Sequence, residues 1–177
     1  MPRSLVAGPS PLAGAVVDLG SAVYEPSEHV VEVAAPTGLR IEALGISRAR
    51  VLPVGVDDTG EVAVPGAADV GWYRYGPDPG QPGLTVLAAH VAFDGDDGVF
   101  RNLADLRPND VVVVELSDGT LQPYRITGLT QHPKSELPPE LWARDGAPRL
   151  ALVTCGGSFD RSRGSDDDNV IAWAEPA

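Results

Sequence analysis

The sequence is short of several features that define whole classes of protein. It contains one cysteine, Cys155, so neither an intramolecular disulfide nor a cysteine-based metal cage can form. It carries 13 Lys and Arg against 25 Asp and Glu, a formal charge of −12. Nucleic acids and anionic membrane surfaces attract basic stripes. The charge balance therefore argues against a nucleic-acid partner and against docking on such a membrane.

Long apolar runs are also missing. The most apolar stretch near the N-terminus, Leu5–Val23, is broken by two prolines and Asp18, whereas a membrane-spanning helix needs about 20 apolar residues. The stretch does not match a signal peptide, which has a continuous apolar segment after a charged start. We expect residues 1–36 to be a linker-like arm, able to pack on the domain and without a visible membrane anchor. Residues 37–177 are expected to form one domain.

Short strand patterns and turn signals fill that domain. With 20 glycines and 17 prolines spread along the chain, long helical patterns are scarce, and one short helix is expected over Val99–Leu106. The apolar and alternating runs predict about eight strands, which is all-β architecture. A closed or nearly closed β-barrel hides the edges of so many strands. The runs are Leu39–Ile41, Ala49–Val54, Glu61–Pro65, Leu84–His90, Val111–Val114, Leu121–Ile126, Arg149–Cys155 and Asn169–Ala174, and an aromatic stretch, Gly71–Tyr75, lies between the third and the fourth.

Two of these strands end in residues that apolar cores rarely contain, His90 and Cys155. If the strands are neighbours, a thiol and an imidazole meet at one rim of the barrel. A nearby cation stabilises the thiolate and makes it a useful nucleophile, and Arg161 and Arg163 follow the cysteine closely enough to supply charge for an oxyanion. Gly156, next to the cysteine, leaves room for a substrate backbone to approach.

Each of these residues also has a plainer interpretation. His90 is then a hydrogen-bonded rim histidine, Cys155 a small buried apolar residue, and Arg161 and Arg163 offset the acidic run at 166–168. The spacing alone leaves both interpretations open.

No metal site is expected from the remaining polar residues. His29 and His132 lack ligand spacing to each other and to His90. The acidic run at 94–97 lacks the glutamate that closes a calcium-binding EF-hand loop, and solvated loop charge is the simpler interpretation.

The segment Leu152–Asp160, followed by Asp168–Val170, resembles the cysteine signature of the sortases, and in particular the class F type of actinobacteria. The resemblance continues in Leu84–Val91, which is similar to the family strand ending in Gly-His-Val. Further matches are the pattern from Val99 to Asp110, the opening strands between Leu39 and Pro65, and Gly71–Tyr73. It covers about Pro36 to Ala174.

The resemblance implies a sortase eight-stranded barrel with one or two short helices and a cysteine transpeptidase that needs no cofactor. Members cleave a sorting signal of the Leu-Pro-x-Thr-Gly kind on surface proteins, hold the acyl part as a thioester, and pass it to an amine of a cell-wall precursor or to water. Cys155 matches the nucleophile and His90 the general acid/base, while Thr154 and Gly156 are expected to shape the substrate site. We expect a monomer working outside the membrane, where family members are anchored.

The sequence departs from the family pattern at several positions. The family arginine precedes the Asp-Asn of the last strand, where this chain has Asp166–Asp167. A carboxylate there has the wrong sign for stabilising a thiolate or an oxyanion, so we expect Arg163, or Arg161, to take over. Ala89 replaces a glycine before the histidine, and Ala92–Phe93 replaces Asp-Ser after it.

These departures leave two alternatives to an active enzyme. One is a weakened, sortase-like domain that binds sorting-signal or wall peptides without turnover, in which replacing Cys155 leaves function intact. The other is a structural β-domain with a buried thiol that resists alkylation in the folded state.

Overall fold

The computed structural model describes residues 34–58, 60, 62–154, the backbone of Cys155, and residues 168–177. The strands are β1 (Pro36–Ile41), β2 (Ile46–Val54), β3 (Asp69–Tyr73), β4 (Leu84–His90), β5 (Ala92–Phe93), β6 (Asp96–Asp97), β7 (Val111–Leu116), β8 (Leu121–Pro133), β9 (Arg149–Cys155) and β10 (Asp168–Pro176). Three 3₁₀ segments occur in the same ranges: Glu42–Leu44, Leu103–Asp105 and Pro139–Trp142.

Eight of the strands close into a barrel in the order β1-β2-β3-β4-β9-β10-β8-β7, with β7 returning to β1. The neighbours β2–β3 and β4–β9 pair in parallel, and the other neighbours pair antiparallel. The remaining two, β5 and β6, form a separate ribbon. The predicted all-β barrel of eight strands is therefore confirmed.

The barrel is packed on both sides of β4 and β9. The interior holds one apolar cluster to which every barrel strand contributes side chains, and Leu87, Leu152 and Tyr124 are fully buried in it. A second cluster covers the outer face of the same two strands, where Val86 and Val153 pack under Leu141 of the last 3₁₀ segment. Strands that are buried on both faces have nearly continuous apolar sequences, which explains the sequence of Leu84–Ala89.

Several sequence-based boundaries are wrong. The strand expected over Glu61–Pro65 is absent from the barrel, and in the described part Val62 makes one isolated bridge to Val56. The helix expected over Val99–Leu106 is reduced to the turn Leu103–Asp105, because Phe100, Leu103 and Leu106 point their apolar side chains into the core and a proline follows at 108. In the described ranges, no helix has the length and apolar character of a membrane span.

Strand β8 is more than twice as long as the run that predicted it. It continues past Ile126 because Thr127 is accommodated as a bulge, where the register with β10 shifts between Trp173 and Ala174. The Thr127 hydroxyl donates to the Trp173 carbonyl at 3.2 Å. A bulge lets a long strand bend with the barrel wall.

Candidate active site

The candidate site lies where β4 and β9 end. The two strands run parallel with an unbroken register from Leu84↔Arg149 to His90↔Cys155. Neighbouring strands are about 4.8 Å apart, so the backbones of His90 and Cys155 lie side by side, although 64 residues separate them in the chain. The structure thus brings the two sequence-predicted residues together at one barrel rim.

Two contacts help to position the His90 imidazole at this rim. Its Nε2 lies 3.1 Å from the carbonyl oxygen of Val64. Its ring stacks on that of Phe93, with centroids 4.7 Å apart and an angle of 26° between the planes. Because His90 is partly exposed while the strand before it is buried, its side chain lies at the boundary between barrel and solvent.

The segment after His90 is folded tightly against it. Asp94 and Gly95 have positive φ values of 51° and 87°, and they form the two-residue turn that joins β5 to β6. The returning chain bonds to the start of the loop: Gly98 N–H donates to the Val91 carbonyl at 2.9 Å and Phe100 N–H to the His90 carbonyl at 3.1 Å. A Cβ on Gly98 would collide with the His90 carbonyl, so this close approach requires glycine.

Thr154 connects the end of β9 to β10 through its side chain. It is 3% exposed, and its Oγ1 accepts a hydrogen bond from Val170 N–H at 2.8 Å. The regular β9–β10 register ends one pair earlier, at Val153↔Ile171. The hydroxyl therefore extends the connection between the two strands up to the residue before Cys155. The hydroxyl of Thr154 is buried and bonded to β10. The role of Thr154 in shaping the substrate site stays a prediction.

Asn169 is a polar residue next to the site that the sequence analysis did not single out. Continuing the Val153↔Ile171 register by two residues brings Asn169 opposite Cys155 on the side away from His90. Asn169 is 7% exposed and borders an otherwise apolar groove. The available signal was its place in the Asp-Asn-Val segment, which carried the family resemblance without a role for the amide.

The groove runs along the outer face of β4 and β9 and stops two residues short of His90. Its floor is formed by Val86, Ala88 and Val153, and its wall by the connection between β8 and β9. Burial of Leu141 against the same strands fixes that wall. The remaining described lining residues are Gly60, Val62, Leu137, Trp142 and Asn169. Val86, Ala88 and Val153 are at most 4% exposed, so this is a narrow crevice to whose exposed surface Trp142 contributes.

Three of the predicted site residues lie outside the described residues: Gly156, Arg161 and Arg163. For Cys155 the strand position is described. In the described ranges, no group of three His, Cys, Asp or Glu residues is arranged to hold a metal ion. The acidic residues of the 94–97 run belong to the β5–β6 turn, where Asp97 pairs with Arg101.

Among the described residues, the titratable groups with a shifted pKa lie away from this rim. On β7, hydrogen bonds from Arg48 and then Arg40 lower the pKa of the Glu115 carboxyl. In the loop before β4, burial raises the pKa of Asp78. Inside the barrel, burial raises the pKa of Tyr124, whose hydroxyl accepts the Gly80 N–H at 3.0 Å.

Comparison with known proteins finds a family model that matches the sequence and solved structures that match the fold. A family model described as the sortase domain matches residues 39–177. Among solved structures, Streptococcus agalactiae sortase C1 in complex with MTSET matches with a TM-score of 0.61 and 16% identity, covering 79% of this chain and 66% of that chain. Sortase A from Corynebacterium diphtheriae matches with a TM-score of 0.60 and 15% identity, covering 81% and 60%.

The pilus island 1 sortase C2 of Group B Streptococcus matches with a TM-score of 0.61 and 15% identity, covering 79% of this chain and 72% of that chain. The matched part of this chain spans less than two thirds of sortase C1 and of sortase A, at 66% and 60% of their lengths. Among curated proteins, no sequence matches this chain.

Proposed function

This chain belongs to the sortase family, and on that premise we propose that it is a cysteine transpeptidase acting on sorting signals of surface proteins. The observation that carries the proposal is the parallel register of His90 with Cys155 at the C-terminal ends of β4 and β9. A nucleophile and a proton-transfer group must lie within reach of one substrate bond, and this register supports that requirement.

Cys155 is proposed as the nucleophile. Its thiolate attacks the carbonyl carbon of the signal threonine, and the bond from that carbon to the following glycine nitrogen breaks. The His90 imidazolium gives its proton to the leaving amine, which leaves a thioester on Cys155. An acceptor amine, or water, then attacks the thioester carbonyl and gives a proton back to His90 as the thiolate leaves. Neither half-reaction requires a cofactor.

The apolar groove is proposed to hold the peptide on the acyl side of the scissile bond. It follows β4 and β9 toward the His90 end; its Val86, Ala88 and Val153 floor is almost fully buried, so contacts to a Leu-Pro pair are proposed for the rim residues Val62, Leu137 and Trp142. Gly156 is proposed to let the threonine carbonyl approach the thiol closely. These assignments support a Leu-Pro-x-Thr-Gly type signal, an amine of a cell-wall precursor as acceptor, and a site of action outside the membrane.

The positive charge that stabilises the oxyanion is assigned to an arginine between β9 and β10, either Arg163 or, as the second choice, Arg161. The family arginine position carries Asp167, and removing one oxyanion donor from an enzyme costs about 10²–10³ in rate. The proposal also keeps the class F assignment, which rests on the Leu152–Asp160 and Asp168–Val170 segments. It keeps residues 1–36 as an arm and 37–177 as the catalytic domain, working as a monomer.

The test is intact-mass spectrometry of the protein incubated with a Leu-Pro-x-Thr-Gly peptide library, with Cys155→Ala as the matched control. We expect an acyl adduct on the wild type that the variant lacks, and its mass identifies the preferred signal. Arg163→Ala is expected to slow adduct formation about 10²-fold or more, and Arg161→Ala to slow it less.

Two outcomes contradict the proposal. Peptide binding that is equal in the wild type and Cys155→Ala, with no adduct, indicates a binding domain without turnover. Absence of both binding and adduct, together with a thiol that resists alkylation in the folded protein, indicates a structural β-domain.

A further inference from the structure

The segment after His90 contains a feature that the family resemblance does not account for. Phe93 stands where the family pattern has a small polar residue, and its side chain is 45% exposed. An exposed phenylalanine gains little from burial at such a position. One described contact is instead specific: the ring stacks on the His90 imidazole at an angle of 26°, 4.7 Å from centroid to centroid.

The hairpin that carries Phe93 is built to hold the ring in place. Its two-residue turn fixes the direction of β5, and Phe93 pairs with Asp96 across the ribbon. Its base bonds back to Val91 and His90 through the amides of Gly98 and Phe100. The stacking partner and the imidazole thus share one short, closed piece of backbone, so their relative position does not depend on distant parts of the barrel.

The second contact of the imidazole determines which nitrogen exchanges protons. The Val64 carbonyl can only accept a hydrogen bond, so the Nε2 atom 3.1 Å away must carry a hydrogen in the neutral ring. The neutral and cationic forms of His90 then differ in the proton on Nδ1. Turning the ring out of its plane about the χ2 bond would break this arrangement, and the stacked contact with Phe93 opposes such a turn. The contact of Nε2 with the Val64 carbonyl selects between the two ring orientations that share this plane.

We propose that Phe93 is a positioning residue for His90, whose stacked ring, together with the Val64 carbonyl, holds the imidazole in one orientation with Nδ1 as the proton-exchanging atom. This inference rests on the proposed function for its catalytic meaning. In acylation the Nδ1 proton goes to the amine that leaves the substrate, and in the second step the acceptor amine returns a proton to Nδ1. A ring face also favours a neighbouring cation, so the stack remains favourable when His90 is protonated.

The experiment compares Phe93→Leu, which keeps an apolar side chain but cannot stack, with Phe93→Tyr, which can. Asp96→Asn, directly across the same hairpin, controls for a general disturbance of the ribbon. Long-range ¹H–¹⁵N spectra of the imidazoles report the tautomer, and the protein contains three histidines, so His90 is assigned with a His90→Gln variant. Single-turnover adduct formation with the preferred peptide is measured on the same samples.

We expect the Nε2–H form for neutral His90 in the wild type, Phe93→Tyr and Asp96→Asn, and a mixture of tautomers in Phe93→Leu. The acylation rate should fall about two- to tenfold in Phe93→Leu, the range of one aromatic contact, with no change in peptide affinity and recovery in Phe93→Tyr. An unchanged His90 spectrum in Phe93→Leu overturns the proposal. So does a changed spectrum with an unchanged rate.

The spectra separate this inference from the proposed function. If the wild type forms no adduct, the proposed transpeptidase activity fails. The tautomer of His90 in Phe93→Leu then still decides whether Phe93 positions the imidazole.

Discussion

The side chain of Thr154 offers a sharp test of how the barrel holds the end of β9. Replacing it by valine keeps the size and branching of the side chain and removes only the hydroxyl. The Val170 N–H then loses its acceptor, 2.8 Å away. Both Thr154 and Val170 are buried, at 3% and 6% exposed, so water cannot take the place of the lost oxygen without opening the strand pair.

The expected magnitude follows from that burial. A buried donor left without a partner costs about 1–3 kcal/mol, and we expect Thr154→Val to lower the free energy of unfolding by about 2 kcal/mol. For a chain of this length each kcal/mol corresponds to about 2–4 °C, so Tm should fall by about 4–8 °C. Thr154→Ser keeps the hydroxyl and should recover most of this loss.

A functional consequence should accompany the loss of stability, because Cys155 follows Thr154 directly. We expect slower alkylation of Cys155 by iodoacetamide or slower adduct formation in Thr154→Val. The matched control is Thr85→Val, at the other end of the neighbouring strand, where a hydroxyl 1% exposed donates to the Pro77 carbonyl at 3.1 Å. This variant should lose stability and keep the wild-type thiol reactivity.

Urea unfolding followed by circular dichroism gives the stabilities, and intact mass gives the alkylation rates. The reasoning is refuted if Thr154→Val unfolds within about 0.5 kcal/mol of the wild type, the usual range for surface substitutions. Equal effects of both valine variants on thiol reactivity would refute the positional part alone.

Two further substitutions test other parts of the same account. Gly98→Ala places a Cβ on the His90 carbonyl, so it should destabilise the protein by about 1–3 kcal/mol and slow acylation. Gly66→Ala, whose Cβ would meet nothing nearer than 3.9 Å, should change neither the stability nor the rate. Equal urea midpoints for the two variants would contradict the argument. Burial raises the pKa of Asp78, so its charged form disfavours folding, and wild-type stability is lost as pH rises through the folded pKa. Asp78→Asn should therefore be more stable than the wild type at pH 7 and lose that advantage at pH 3, below the ordinary aspartate pKa of about 3.9; an advantage of the same size at both pH values would show that ionisation is not the cause.

The sequence was sufficient to predict the barrel and the two strand ends. The runs Leu84–His90 and Arg149–Cys155 have the continuous apolar character of strands buried on both faces, and the structure has them at the same bounds. Their adjacency was not readable from composition or spacing. It arises because β9 inserts between β4 and β10, a long-range pairing for which neither strand carries a local signal.

Local patterns failed where tertiary contacts replaced regular structure. The alternation around Val62 and Val64 predicts a strand, but the Val64 carbonyl is used by the His90 ring rather than by a sheet neighbour. Phe93 was visible as a departure from the family pattern, yet its contact with His90 depends on a turn that reverses the chain at Asp94 and Gly95. Side-chain contacts of this kind require the folded backbone before they can be assigned.

The mixed strand directions have a consequence for how this site tolerates change. Because β4 and β9 are parallel and β10 is antiparallel to β9, two strand ends and one strand start meet at the same rim. The barrel ladder fixes the positions of His90, Cys155 and Asn169, while the hairpin at 91–98 and the β8–β9 connection lie beside them. Connecting segments vary more freely than the ladder that supports them. Ala92–Phe93, which stands where the family pattern has Asp-Ser, falls in such a connecting segment, so the chain can alter the surroundings of His90 without disturbing the register that pairs it with Cys155.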